Sequence, residues 1–171
     1  MSRYDVPAES PYAFLDDDAD VRAWFAFMKV QLRLRYEMNR QLRDDSGISL
    51  ADYDVLVALT SEPSGTMTVS DLAIRIGAER SRVSHQTRRL AEDGLVDLAS
   101  NANDRRATDV TLTPRGRDLL RSASPGHIAF VRQVFFDALD DEQSAHLADA
   151  FEKIYELLIA HGSLPRPADH P

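Results

Sequence analysis

Apolar positions in the first third of the chain recur at helical spacing, and they do so on two faces at once. Between about residues 18 and 45, Val21, Trp24, Phe25, Met28 and Leu32 form one stripe, while Phe27, Leu34, Met38 and Leu42 form a second. Two stripes require two packing partners. Gly47 ends this helix, and Ile48-Ser49 followed by Asp52 reads as a staple and cap for a second helix carrying Tyr53, Leu56, Val57 and Leu59. Residues 62–66, with Pro63 and Gly65, read as a turn. Thr68 is positioned to cap a third helix with Val69, Leu72, Ala73 and Ile76 inward, closed by Gly77, and a fourth spans roughly residues 79–93 up to Gly94.

The period then changes from helix to strand. Residues 95–99 read as a strand, 100–103 as the descending side of a hairpin tip, and 108–113 as the return strand, where Val110 and Leu112 alternate with Thr111 and Thr113. Thr113 followed by Pro114 is an N-cap with proline at the first helical position. The helix after it carries Leu119, Leu120 and Ala123 and runs into Ser124-Pro125-Gly126, where a kink or break is expected. Periodicity resumes with Ile128, Val131, Phe135 and Leu139. A last helix opens on Asp140, Asp141 and Glu142 and repeats Leu147, Phe151, Ile154 and Leu158 at near-heptad spacing.

These elements predict a mainly α (α+β) fold, a winged helix-turn-helix domain with a two-stranded wing plus terminal helices that form a dimerisation domain. The expected boundaries are a flexible arm at 1–17, a helical dimerisation region at 18–47 and 127–161, a winged helix-turn-helix at 48–126 and a disordered tail at 162–171. The terminal helices carry more apolar surface than a small winged domain covers. Burial against a second copy is therefore expected.

The fourth helix has the composition of a DNA reader. With Val83 as the inward reference and a step of about 100° per residue, Thr87, Leu90 and Gln86 fall within about 60° of it, while Ser81, Arg82, Ser84, His85, Arg88 and Arg89 occupy the opposite half. Small polar and cationic groups suit base edges and phosphates. Arg80, Ser81, Arg82, Ser84, His85, Gln86, Arg88 and Arg89 are thus the candidate recognition-helix residues, and the helix before it completes a helix-turn-helix. Asp104, Arg105 and Arg106 at the hairpin tip form the candidate wing contact. A carboxylate beside two guanidiniums is able to hold one fork while the other reaches phosphate or a narrow minor groove.

A net charge of −8 over 171 residues argues against phosphate binding until its distribution is read. Residues 1–67 balance to −5, residues 68–117 to +2 and residues 118–171 to −5. The positive segment is the one that holds the reader helix and the wing. Absence of cysteine excludes disulfides, thiolate zinc sites and cysteine redox sensing. The histidines are scattered, with His127, His146 and His161 on helices expected to pack in a dimer, and no nucleophile has a neighbouring base, so neither an enzyme nor any cofactor or metal is expected. No apolar run reaches membrane-spanning length and the acidic N-terminus is unlike a signal peptide, which predicts a cytoplasmic protein without membrane contact.

The segments Ser49-Leu50-Ala51-Asp52-Tyr53-Asp54-Val55-Leu56, Val69-Ser70-Asp71-Leu72-Ala73, Val83-Ser84 with Arg89-Leu90, and Asp93-Gly94-Leu95-Val96 resemble the MarR family of bacterial transcriptional regulators. So, above all, does the wing pattern Asp104-x-Arg106-x-x-x-Val110-x-Leu112-Thr113-x-x-Gly116. The resemblance covers about residues 20–160. It implies a triangular homodimer with two winged lobes on a pseudo-palindromic operator in double-stranded DNA. It further implies that Arg106 is the wing-tip minor-groove arginine, Asp104 its positioning partner and Arg105 an accessory phosphate contact. Many such regulators repress genes and release DNA when a small, often aromatic or phenolic, effector enters a cleft between dimerisation helices and lobe. Trp24, Phe27, Met28, Arg35 and Tyr36 are the candidates to line such a cleft, with core packing as the other reading. The alternative function is a winged-helix module that binds a protein and not DNA, which the acidic total charge favours.

Overall fold

The structure, a computed structural model, describes residues 9–11, 15 and 18–168. The remainder of the expected arm at 1–17 lies outside the described residues, as do residues 169–171 of the expected tail. The elements are α1 (Asp18–Ser46), α2 (Leu50–Thr60), β1 (Thr66–Thr68), α3 (Val69–Arg75), α4 (Arg80–Glu92), β2 (Val96–Ser100), β3 (Thr108–Leu112), α5 (Pro114–Val134) and α6 (Asp141–His161), with a 3-10 turn at Phe136–Ala138 before α6.

Local chemistry sets most of these boundaries. Ser49 caps α2 in a reciprocal capping box: its side chain accepts from the Asp52 N–H, and the Asp52 carboxylate accepts from the Ser49 N–H. Thr68 caps α3 and Thr113 caps α5, each through its side-chain oxygen, with Pro114 at the start of α5. Gly116 is required by packing. A Cβ there would lie 2.2 Å from the Leu95 carbonyl oxygen and 2.8 Å from Leu112 Cδ1, so α5 meets the β2 entry only through a glycine.

The sheet has three antiparallel strands in the order β1-β3-β2, one more than the two-stranded wing expected. Met67 pairs with Val110, and Val110 in turn with Leu98, so the wing is rooted in the lobe through β3. The sequence places Thr66 at the end of a turn and Thr68 as a cap, with no strand between them. Three residues carry too little alternation to be read as a strand, and their pairing partner lies more than forty positions away. The Thr66 and Thr111 hydroxyls, 2.9 Å apart, add a cross-strand bond.

One core fills the lobe. Leu42, Val55, Leu56, Leu59, Leu72, Val83 and Val110 are fully buried at 0% exposure, and Leu90 and Val96 at 1%. α1 reaches this core only through its C-terminal end, where Leu42 and Met38 pack. Of the kink or break expected at Pro125, the break does not occur: α5 runs through it to Val134. Proline removes one N–H donor, but Ala123 and His127 on either side are buried and hold the helix in register. The boundary expected between 126 and 127 therefore falls inside a helix. α6 has no buried residue at all. Beyond it, residues 162–168, expected as disordered, form no helix or strand, and Arg166 donates to both carboxylate oxygens of Glu156.

Candidate nucleic-acid interface

α3 and α4 are joined by a turn in which Gly77 takes φ +63, a left-handed value that favours glycine, and the Ala78 N–H closes back on the Ala73 carbonyl at 2.9 Å. Val83, Thr87 and Leu90 anchor α4 in the core. The opposite face presents Arg80, Ser81, Arg82, His85, Arg88 and Arg89 as exposed residues, with Ser84 half-buried. Glu79 at the N-cap makes no side-chain cap, so the first N–H groups of α4 stay open beside three polar or cationic side chains.

Gln86, one of the candidate recognition residues, is not on that face. It is 8% exposed, and its amide donates to Asp52 Oδ1 at 3.2 Å. The physical reason is its place within the inward arc, where the α2 carboxylate supplies the acceptor a buried amide needs. Asp52 has the larger role that sequence reasoning missed. Its Oδ1 also accepts from Arg89 Nη2 at 2.5 Å, and its Oδ2 from the Ser49 hydroxyl at 2.6 Å and the Ser49 N–H at 3.3 Å. Burial raises the Asp52 pKa, but the hydrogen bonds from Ser49, Arg89 and Gln86 and the Arg89 charge outweigh it and hold the carboxyl below its ordinary range. The S-x-x-D spacing signalled the cap. Nothing local signalled the bond across to α4.

At the wing tip the backbone is held by short polar side chains. Asn101 Oδ1 accepts from the N–H groups of Asn103 and Asp104 at 2.9 Å each, Asn101 Nδ2 donates to Asp109 at 2.8 Å, and Asp104 Oδ1 accepts from the Arg106 N–H at 2.9 Å. Asp104 thus engages Arg106 through the main chain, and not through a guanidinium fork as expected. Both Arg105 and Arg106 are exposed, and among the described residues neither guanidinium has a protein partner. Two cations free at the end of a braced hairpin suit contact with an anionic surface.

The five residues expected to line an effector cleft all lie on α1. Trp24, Phe27 and Tyr36 are exposed at 45%, 41% and 60%, with the Trp24 and Phe27 rings 5.6 Å apart. Met28 is half-buried, and Arg35 pairs with Asp54 at 3.4 Å, tying α1 to α2. A cavity of about 720 Å³ lies elsewhere, between α3, the wing base and residues 165–168, and none of the five lines it.

The junction of α1, α2 and α5 holds a polar cluster instead. His127, expected on a dimer-packing helix, is 5% exposed within its own chain, with Nδ1 2.8 Å from Gln41 Oε1 and its ring 4.7 Å from the Tyr53 ring. Burial lowers the His127 pKa against the opposing pull of Asp54, and burial raises that of Asp54 against Arg35. Among the described residues no helix is long and apolar enough to cross a membrane, and no group of histidine and carboxylate side chains is placed to hold a metal ion.

Comparison with known proteins bears on this geometry. The model of the MarR family matches residues 46–107, which run from the end of α1 to the wing tip. Sco3205, a MarR family transcriptional regulator of Streptomyces coelicolor crystallised with DNA, is 31% identical and superposes with a TM-score of 0.81 over 87% of this chain and 97% of its own. PcaV of the same organism, crystallised with its natural ligand, is 25% identical with a TM-score of 0.63, covering 74% of this chain and 89% of its own. The repressor MdtR of Bacillus subtilis is 28% identical over 123 residues, which span 71% of this chain and 75% of that protein.

Proposed function

This chain belongs to the MarR family of transcriptional regulators, and from that premise we propose that it acts as a homodimeric repressor on a pseudo-palindromic operator. The observation that carries the proposal is the pairing of two cationic elements on one lobe. The exposed face of α4 offers Arg80, Ser81, Arg82, Ser84, His85, Arg88 and Arg89, and the braced wing offers Arg105 and Arg106. α4 enters the major groove, where its side chains meet base edges and phosphates. The wing reaches the flanking backbone or minor groove with Arg106 as its probe. Sco3205, similar over nearly its whole length, was crystallised with DNA, and the curated relative MdtR is a repressor.

Dimer formation rests on the terminal helices. Phe27, Val30 and Leu32 on α1 and Phe151, Ile154 and Leu158 on α6 are all more than 40% exposed in the single chain. A second copy related by a two-fold axis buries both sets and sets two α4 helices one helical turn of DNA apart. A small aromatic or phenolic effector that loosens this arrangement is the regulatory half of the proposal, supported by the ligand-bound state of PcaV. The protein then works in the cytoplasm, where its DNA is.

Fluorescence anisotropy with duplexes selected by the protein from a random pool, across a salt series, tests the reading. Selective, steeply salt-dependent binding at two protomers per duplex is expected. Binding that ignores sequence, or no binding at low salt, overturns it.

A further inference from the structure

We infer that Asp52 is a positioning residue for DNA binding: it braces Arg89 so that this one arginine of α4 meets a phosphate already oriented. The inference rests on the DNA-binding reading above and goes beyond it, because Asp52 lies on α2 and not on α4, and is itself only 8% exposed.

Four cations stand on the exposed side of α4, and among the described residues Arg89 is the one that has an ion-pair partner. The partner is fixed. Asp52 spends both oxygens on four donors, from Ser49 twice, Gln86 and Arg89, and its side chain is 11% exposed. Arg89 itself is 59% exposed. A guanidinium carries five N–H donors in a rigid plane, and only the Nη2 contact to Asp52 is used within the chain. The other donors are unused within the chain, and the carboxylate behind holds the guanidinium at one corner. Such an arginine loses less side-chain freedom on binding than a free one, and its fork suits a phosphate. Arg80, Arg82 and Arg88 lack that brace.

The test is a double-mutant cycle with the full-length protein and a fluorescein-labelled duplex that the parent selects from a random pool. Arg89→Gln should weaken binding and lower the slope of log affinity on log salt by about one. Asp52→Asn keeps an oxygen for the Ser49 cap but turns an amide where Arg89 needs an anion. It should weaken binding about three- to tenfold in the parent and add nothing in the Arg89→Gln background. A cost for Asp52→Asn that is equal in both backgrounds, or an unchanged salt slope in Arg89→Gln, overturns the inference. Should Asp52→Asn fail to fold, Arg89→Lys decides it from the surface. A lysine keeps the charge but has no fork to bridge carboxylate and phosphate, so the salt slope stays and affinity falls about three- to tenfold. Parental affinity in Arg89→Lys contradicts the brace. A parent that selects no duplex at all refutes the DNA-binding reading, a result distinct from each of these.

Discussion

The lobe and the terminal helices solve the same problem in different ways. From α2 to β3, large apolar side chains such as Val55, Leu56, Leu59 and Val110 disappear completely within one chain, and the N-caps of α2 and α3 are satisfied by Ser49 and Thr68. α6 also carries large apolar residues, Leu147, Phe151, Ile154, Leu157 and Leu158 among them, yet none is buried, and Leu158 is 62% exposed. The shape of the reader is thus decided inside the protomer. The spacing between two readers is left to whatever covers α1 and α6.

Four changes break or sharpen this contrast. Leu56→Ala in the lobe removes a residue at 0% exposure and should cost about 2–5 kcal/mol of unfolding free energy in urea, with secondary structure lost in one transition. Leu158→Ala should leave that transition nearly in place but weaken self-association by about 1.5–3 kcal/mol per leucine buried, read by sedimentation equilibrium. Equal effects of both substitutions on urea unfolding alone would erase the distinction. Gly116→Ala forces a methyl toward the Leu95 carbonyl and should cost about 1–3 kcal/mol in the lobe, without changing association.

The smallest effect is a pH dependence. His127 has its pKa lowered in the folded chain, first by burial, so the unfolded chain takes up the proton more readily. Stability then falls as pH drops below the ordinary histidine value of about 6.5. His127→Gln should flatten that part of the profile, measured by urea midpoints from about pH 7.5 to about 5.5. A parent midpoint that rises over the same descent contradicts the assignment. Asp52 adds a separate acid limb. Its folded pKa is lowered, so its contribution is complete above the ordinary carboxylate value of about 3.9 and is lost as pH falls through the folded value.

Much of the lobe was legible because its signals are local. Ser49, Thr68 and Thr113 each announced a helix start, Gly47, Gly77 and Gly94 each marked a stop, and all six stand where the elements begin and end. The wing was legible for the same reason, since Val110 and Leu112 alternate beside a turn. What failed to show was set by distant partners. β1 exists because Met67 pairs with Val110, α5 continues through Pro125 because His127 packs against Gln41 and Tyr53, and Gln86 turns inward because Asp52 is there to accept its hydrogen bond. The candidate site inherits this division. Arg105 and Arg106 could be found from their own neighbours in sequence, whereas the Asp52 contact to Arg89 joins positions 37 residues apart.

In the proposed function the wing and α4 act together on DNA. Anisotropy titrations of the parent and Arg106→Ala against the same selected duplex, at several salt concentrations, measure that most directly. The prediction is weaker binding by Arg106→Ala on every sequence, with the salt slope reduced by about one and the selected motif retained through α4. Identical affinity and identical slope in the two proteins would contradict it.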